Sequence, residues 1–559
     1  MDYDLKIVGG TIIDGSGKPG FRGDLGISQG KVAAIGKVPG TARKTIEADG
    51  RAVSPGFVDI HTHYDAQVMW DRMMTISPWH GVTTAVIGNC GFGVAPTRPL
   101  HRELILRTLE KVEGMSYEAL EAGLGQDWPF ETFPEYLDAL EDRGTAINVG
   151  ALLGHTPLRL YVMGEAATER AATADEVAQM QRLVREGMAA GAVGFATSKA
   201  TTHNGFGGRP VPSRAAELSE ILTLAGTMRE FGRGLTQLTI GPGFFLDQMA
   251  EISRASGRPV SWTALLTGLA GPGSHRKMLQ RNTALVQEGL QIVPQVSCRP
   301  LNFEFTFMEP FPFETMPLFT RLMVEDRASK MRTYGDPDFR RAFNEQLSRV
   351  MAGWWDRAVI SFSTSDHSLD EQPLALVASG RGQHPVDFAL DLSIREQLET
   401  KFRLAVVNVD EDEVQEVLTH PTTVIGLSDA GAHANQLCDA CFSTHLLGRW
   451  VREKGTLALE DAVRMLTSRP AEVFGIADRG LLAVGRPADV VVFDPATVGA
   501  SKLKRVHDLP AGADRLLSEG IGIDAVVVNG TMLRRAGQDQ VDPKGPLPGK
   551  LLRGGAARA

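Results

Sequence analysis

His61 and His63 stand one residue apart at the end of an apolar run, in SPGFVDIHTHYD (residues 54–65). Side chains at i and i+2 of a strand point to the same side, and they lie roughly 6–7 Å apart along it. Two imidazoles so placed can grip one cation, because neutral imidazole is a good ligand for Zn2+ and similar borderline metals. The pair is a weak signal alone, since an isolated histidine is more often a satisfied core or surface residue. It gains weight from company. Cys90 closes TTAVIGNC, His155 closes AINVGALLGH, Lys199 closes AVGFATSK, and Asp429 lies in TTVIGLSDAGAH.

These residues need elements that bring their ends together. Between about residues 55 and 475, strand-like apolar runs alternate with helix-like stretches such as ADEVAQMQRLVREGMAAGA and RAAELSEILTLAGTMREFG. Strand–helix alternation implies parallel pairing through crossover helices. About eight such units, AVISFSTS (358–365) being read as one of the strands, close a (β/α)8 barrel of the TIM type. Its active sites sit at the strand C-termini, where the polar residues above fall. Two stretches interrupt the alternation. Residues 98–145 read as a charged, helical insertion. Residues 301–356 contain LNFEFTFMEPFPFETMPLF and AGWWDR, a Pro-broken aromatic segment. It either packs on its own aromatics or walls a pocket for an apolar group. Residues 1–54 and 476–540 are short strands broken by Gly and Asp turns. They are expected to form one small β-sandwich from both termini, with 541–559 as an extended tail. The class expected is therefore α/β.

A chain of 559 residues is too long for one small core. Its net charge of −9 makes nucleic acid and anionic membranes poor partners. It has no apolar run long enough to span a bilayer, and its first residues do not read as a secretory signal. Four cysteines do not make a disulfide framework in so long a chain. A reduced, cytoplasmic protein is expected. CDAC (438–441) reads as two packing thiols, and no glycine-rich phosphate loop follows a strand. Association into homo-oligomers through exposed barrel helices is left open.

The set PGFVDIHTHYD, HGVTTAVIGNCGFGVAP (80–96), TVIGLSDAGAH (423–433) and ADRGLLAVGRPADVVVFDP resembles the amidohydrolase superfamily over nearly the whole chain. It is most similar to the N-acyl-D-amino-acid deacylase (D-aminoacylase) branch. The resemblance implies a metal-bearing barrel with a small β-sandwich, and metal ligands at His61, His63, Cys90 and Asp429. It also implies that Asp429 moves the proton from a metal-activated water to the leaving nitrogen, chemistry that suits a carboxylate beside a Lewis acid. His155 lies in LLGHTPLR, similar to a deacylase stretch, and is carried over as an active-site candidate.

The family's histidines from the fifth and sixth strands are missing. GLTQLTIGPG offers Gln237 and RPVSWTALLTG offers Trp262 and Thr263. One divalent metal, Zn2+, is therefore expected in place of two. Lys199 is either a carboxylated bridging ligand, as in other branches, or an ordinary cation. Arg299 in VSCRP could bind a substrate carboxylate bidentately, and the loop residues His203 and His367 are further substrate-binding candidates. The reading is a metal-dependent hydrolase of non-peptide amides, on N-acyl amino acids or related small amides. The alternatives are a related enzyme acting on a cyclic amide, an ester or a C–C bond next to a carbonyl, and a non-catalytic ligand-binding barrel.

Overall fold

The computed structural model describes residues 2–205, 208–313, 316–350, 352–433 and 436–557. At its centre eight parallel strands follow one another in chain order. They are β1 Phe57–Asp59, β2 Val82–Ile87, β3 Asn148–Gly154, β4 Gly194–Ser198, β5 Leu235–Thr239, β6 Val260–Thr263, β7 Ile292–Val296 and β8 Val424–Ile425. The hydrogen-bonded ladder runs from β8 through β7 to β1. The remaining seam is closed beyond the strand ends by a parallel bridge between Thr62 and Ala430. There the amide of His63 donates to Ala430 O at 2.7 Å, and that of Asp429 to His61 O at 3.1 Å. The strands read as continuous apolar runs because crossover helices cover their outer face. One such helix, Ala174–Ala190, starts on a reciprocal cap: Thr173 accepts from the Glu176 amide, and the Glu176 carboxylate accepts from the Thr173 amide.

Both termini contribute to one nine-stranded sheet. Val490–Phe493 runs antiparallel to Ala52–Pro55, and Gly56 alone separates that strand from β1. A Cβ on Gly56 would collide with the Thr83 side chain, so this crossing from sheet to barrel needs glycine. The insertion after β2 is helical as expected, with helices Arg102–Val112, Tyr117–Leu124 and Phe133–Arg143.

The second excursion differs from its expected form. Ala358–Phe362 is not a barrel strand. It belongs to a separate antiparallel sheet with Leu301–Phe305, Lys401–Val407 and Gln372–Pro373. The excursion thus continues past residue 356 to about residue 407. A five-residue apolar run has the same periodicity in either sheet, and only its long-range pairing with Lys401–Val407 decides between them. The lobe has its own core of Phe305, Phe307, Phe313, Phe319, Phe343, Trp354 and Phe402. The ring centroids of Phe313 and Phe343 are 5.1 Å apart, edge to face. The C-terminal tail is pinned beneath the barrel: the Val149 amide donates to Lys550 O at 3.0 Å, and Leu552 is fully buried.

Glu396 ties the lobe together. Its carboxylate accepts from the hydroxyls of Ser363, Ser365 and Thr400, and from the amides of Thr364 and Ser365 at 3.0 Å each. Burial alone would raise its pKa, but these donors outweigh burial and bring it down to about 2. A carboxyl depressed on folding stabilises above its unfolded pKa and loses that contribution as pH falls through the folded value. The lobe should therefore weaken between about pH 4.5 and pH 2. Glu396→Gln should lower unfolding free energy by about 2 kcal/mol at pH 7 and flatten the acid limb, as read by urea melts across that range.

Candidate metal centre

The strand ends deliver three donors to one spot. Nitrogens of His61 and His63 and the Cys90 sulfur all lie within 4.8 Å of one another, and all three residues are buried. The Asp429 carboxylate completes the group, with Oδ1 3.3 Å from His61 Nε2 and 3.8 Å from His63 Nε2. Its side chain remains about 20% exposed, toward a cavity.

Local structure places each donor. The two histidines continue β1 and are stitched to Asp429 and Ala430 by the closing seam. Ser428 Oγ also donates to His61 O at 2.9 Å. Asp429 has φ +45° and Cys90 has φ +56°, left-handed values that cost a non-glycine residue roughly 1–2 kcal/mol. For Cys90 the conformation is held from both sides. Asn89 Nδ2 donates to Val86 O at 2.9 Å, and the Cys90 amide donates to Gln237 Oε1 at 2.7 Å.

Two buried residues orient the imidazoles, and sequence reasoning missed both. His61 Nδ1 is 2.7 Å from Gln295 Oε1, and Gln295 Nε2 donates to Ser261 Oγ at 3.0 Å. The second bond fixes the amide so that its oxygen faces His61. Nδ1 must then carry the proton, which leaves the Nε2 lone pair pointing at Cys90 and Asp429. His63 Nδ1 is 3.2 Å from Glu113, just beyond the first inserted helix. A glutamine amid the apolar QIVPQV was a usable signal. Glu113, in a charged insertion, gave none.

The electrostatics favour positive charge at this point. Burial tends to lower the pKa of both imidazoles. For His61 the Cys90 sulfur and Asp429 overcome it, and for His63 Glu113 and Cys90 do. Both are raised. Burial likewise pushes the Cys90 thiol up, but the two histidines more than offset it and bring it to about 6. Two imidazoles, a thiolate and a carboxylate gathered at one buried point are a donor set for a zinc-like divalent ion.

A cavity of about 230 Å³ opens in front of these donors. His203 lines it, its ring 4.9 Å from that of Phe92 and its Nδ1 2.6 Å from Ser198 Oγ. Burial pushes its pKa down to about 3, so the ring is neutral. His433 also lines the cavity and was not singled out from the sequence. At the tops of β5 and β6 the cavity is faced by Thr239 and Thr263, whose hydroxyls are 3.1 Å apart. Gln237 is two residues lower on the same face of β5, bonded to the Cys90 amide, and Trp262 is buried in the main hydrophobic core. Strand alternation turns Thr263 rather than Trp262 to the cavity, and on β5 Thr239 lines it while Gln237, on the same face, does not.

Four other candidates stand elsewhere. His155 is fully buried between Thr197 and Glu220, at 2.8 Å from each, and Glu220 also pairs with Arg159. It is a structural anchor and does not line the cavity. Lys199 places its ammonium 2.6 Å from the carbonyls of Arg214 and Ala216 and does not line the cavity. Arg299 pairs with Asp439 at 3.0 Å and contacts Cys441. His367 is about 70% exposed on the aromatic lobe, paired with Asp370. The strand-end rule found these residues but could not tell which way each side chain points.

Gln295→Leu would keep the four donors and free the His61 tautomer. It should weaken zinc affinity roughly 10- to 100-fold, measured by competition against a chromophoric chelator, with little change in circular dichroism.

Residues 44–534 of this chain match the model of the amidohydrolase family. An N-acyl-D-glutamate deacylase of Alcaligenes xylosoxydans xylosoxydans is 31% identical over 564 residues, covering 100% of this chain and 98% of its own. The N-acyl-D-glutamate deacylase of Bordetella bronchiseptica, solved with zinc and a phosphonate inhibitor, superposes with TM-score 0.66 at 28% identity, covering 99% of this chain and all of that one. A D-aminoacylase structure, described as having a binuclear metal centre with one-metal activation and second-metal attenuation, gives TM-score 0.66 at 26% identity, covering 98% of this chain and 100% of that one. With a family match across most of its length, a parallel barrel and the donor cluster at the strand ends, this chain belongs to the amidohydrolase family.

Proposed function

We propose that this chain is a metal-dependent hydrolase of linear, non-peptide amides, and that His61, His63, Cys90 and Asp429 hold a single Zn2+. The observation that carries the reading is the buried donor cluster facing a cavity at the strand C-termini. When bound, the cation supplies Lewis acidity to the amide carbonyl and makes water a nucleophile near neutral pH.

The side chains do the rest. Asp429 stands at the edge of the donor set, partly open to the cavity, where it can accept a proton from the attacking water. The water oxygen bonds to the carbonyl carbon. Collapse of the adduct breaks the C–N bond as Asp429 returns that proton to nitrogen, so an acid and an amine leave. Gln295 and Glu113 hold the imidazoles in place throughout, which removes reorganisation from the chemical step. His203, kept neutral, can donate or accept a hydrogen bond at the cavity wall but brings no charge.

The single-metal reading rests on Thr239 and Thr263, since neutral hydroxyls are poor zinc ligands, and on the commitment of Lys199 to backbone carbonyls. Four free, buried cysteines fit the reducing cytoplasm. Among the described residues no helix is long and apolar enough to cross a membrane.

Elemental analysis of chain saturated with zinc and then desalted should return one equivalent; two would contradict the single-metal reading. His61→Ala and Asp429→Ala should each cut amide hydrolysis at least ~1000-fold while circular dichroism stays unchanged. Near-normal turnover in either would overturn the mechanism.

A further inference from the structure

The cavity wall, beyond the four donors, is unlike a receptor for an anion. Among the described residues that line it there is no lysine or arginine. The undescribed positions in the loops beside His203 and His433 are Phe206, Gly207, Ala434 and Asn435, none of them cationic. The nearest arginine in sequence to the cavity residue Ser297 is Arg299, and its guanidinium is already taken by Asp439 at 3.0 Å. Asp439 itself faces the cavity, so this pair presents its acidic member. Lys199 is satisfied by two backbone carbonyls.

What the wall does offer is apolar surface together with uncharged polar groups, among them the neutral ring of His203. Phe92, Val112, Leu266, Leu301, Phe303 and Leu427 line the cavity. Leu301 and Phe303 come from the first strand of the aromatic lobe, so that lobe both packs on itself and supplies one side of the cavity. Thr239 and Thr263 add hydroxyls without charge.

On the reading of this site as an amide hydrolase, we infer that its substrates are uncharged amides with an apolar group on one side of the C–N bond and no free carboxylate, unlike the N-acyl amino acids named for its relatives. Away from the donors, a carboxylate entering this wall would leave water for a surface on which no described lysine or arginine meets it, the neighbouring Arg299 being engaged by Asp439. Specificity here is set by the missing countercharge as much as by the apolar fit. The departure sits at the wall and leaves the donors untouched, so the same chemistry serves a different class of substrate.

The test compares N-acetyl-2-phenylethylamine with both enantiomers of N-acetylphenylalanine, which differ from it by the carboxylate alone. Zinc-loaded chain should show kcat/KM for the neutral amide on the order of 100-fold above that for the better enantiomer. Calorimetry should also show tighter binding of the neutral amide. Preference for either carboxylate-bearing compound would overturn the inference and leave amide hydrolysis standing. If neither compound is hydrolysed, the hydrolase reading fails for this pair, and calorimetry still decides the inference: binding of the anion equal to or tighter than that of the neutral amide would refute it.

Discussion

The closing seam of the barrel is the contact on which the site depends. Between the first and last strands the regular ladder gives way to a bridge at Thr62 and Ala430, flanked by the bonds of His63 and Asp429 amides to carbonyls across the gap. These bonds link residues more than 360 positions apart. They do more than complete a sheet, because the three side chains beside them are the two imidazoles and the carboxylate. Closing the barrel therefore brings these three donors together. A slip of one residue across the seam would turn His61 and His63 away from Asp429.

The donors concentrate negative potential at the buried end of the cavity. That arrangement is costly without a cation, and the raised pKa values of both histidines show the same demand being met by protons. Each imidazole is also held from behind, by Gln295 on one side and Glu113 on the other. Such support narrows the rotamers available to a ligand and lowers the reorganisation needed when a cation binds. Left-handed backbone at Cys90 and Asp429 is the local strain that this positioning carries.

Much of this was legible in the sequence because the signals were local. Strand–helix alternation gave the barrel, and HTH, NCG and SDAGAH marked three strand ends whose residues do converge. What escaped was governed by contacts between distant segments. Ala358–Phe362 looked like a barrel strand until its pairing with Lys401–Val407 was known. His155, Lys199 and Arg299 stand at or just past strand ends as expected, yet Glu220, two backbone carbonyls and Asp439 claim them. On β5 the choice between Gln237 and Thr239 is a matter of height along one face, which spacing alone does not fix. Glu113 orients His63 from an insertion that carries many glutamates, so nothing in its surroundings set it apart.

The centre proposed here makes one demand that can be met or refused directly: sulfur and imidazole around a single ion. X-ray absorption at the zinc edge of the holoprotein reads that shell without reference to any substrate. One sulfur scatterer from Cys90, two imidazoles from His61 and His63, and no second metal nearby are the expected result. A shell of nitrogen and oxygen alone, or a clear metal–metal vector, would contradict it.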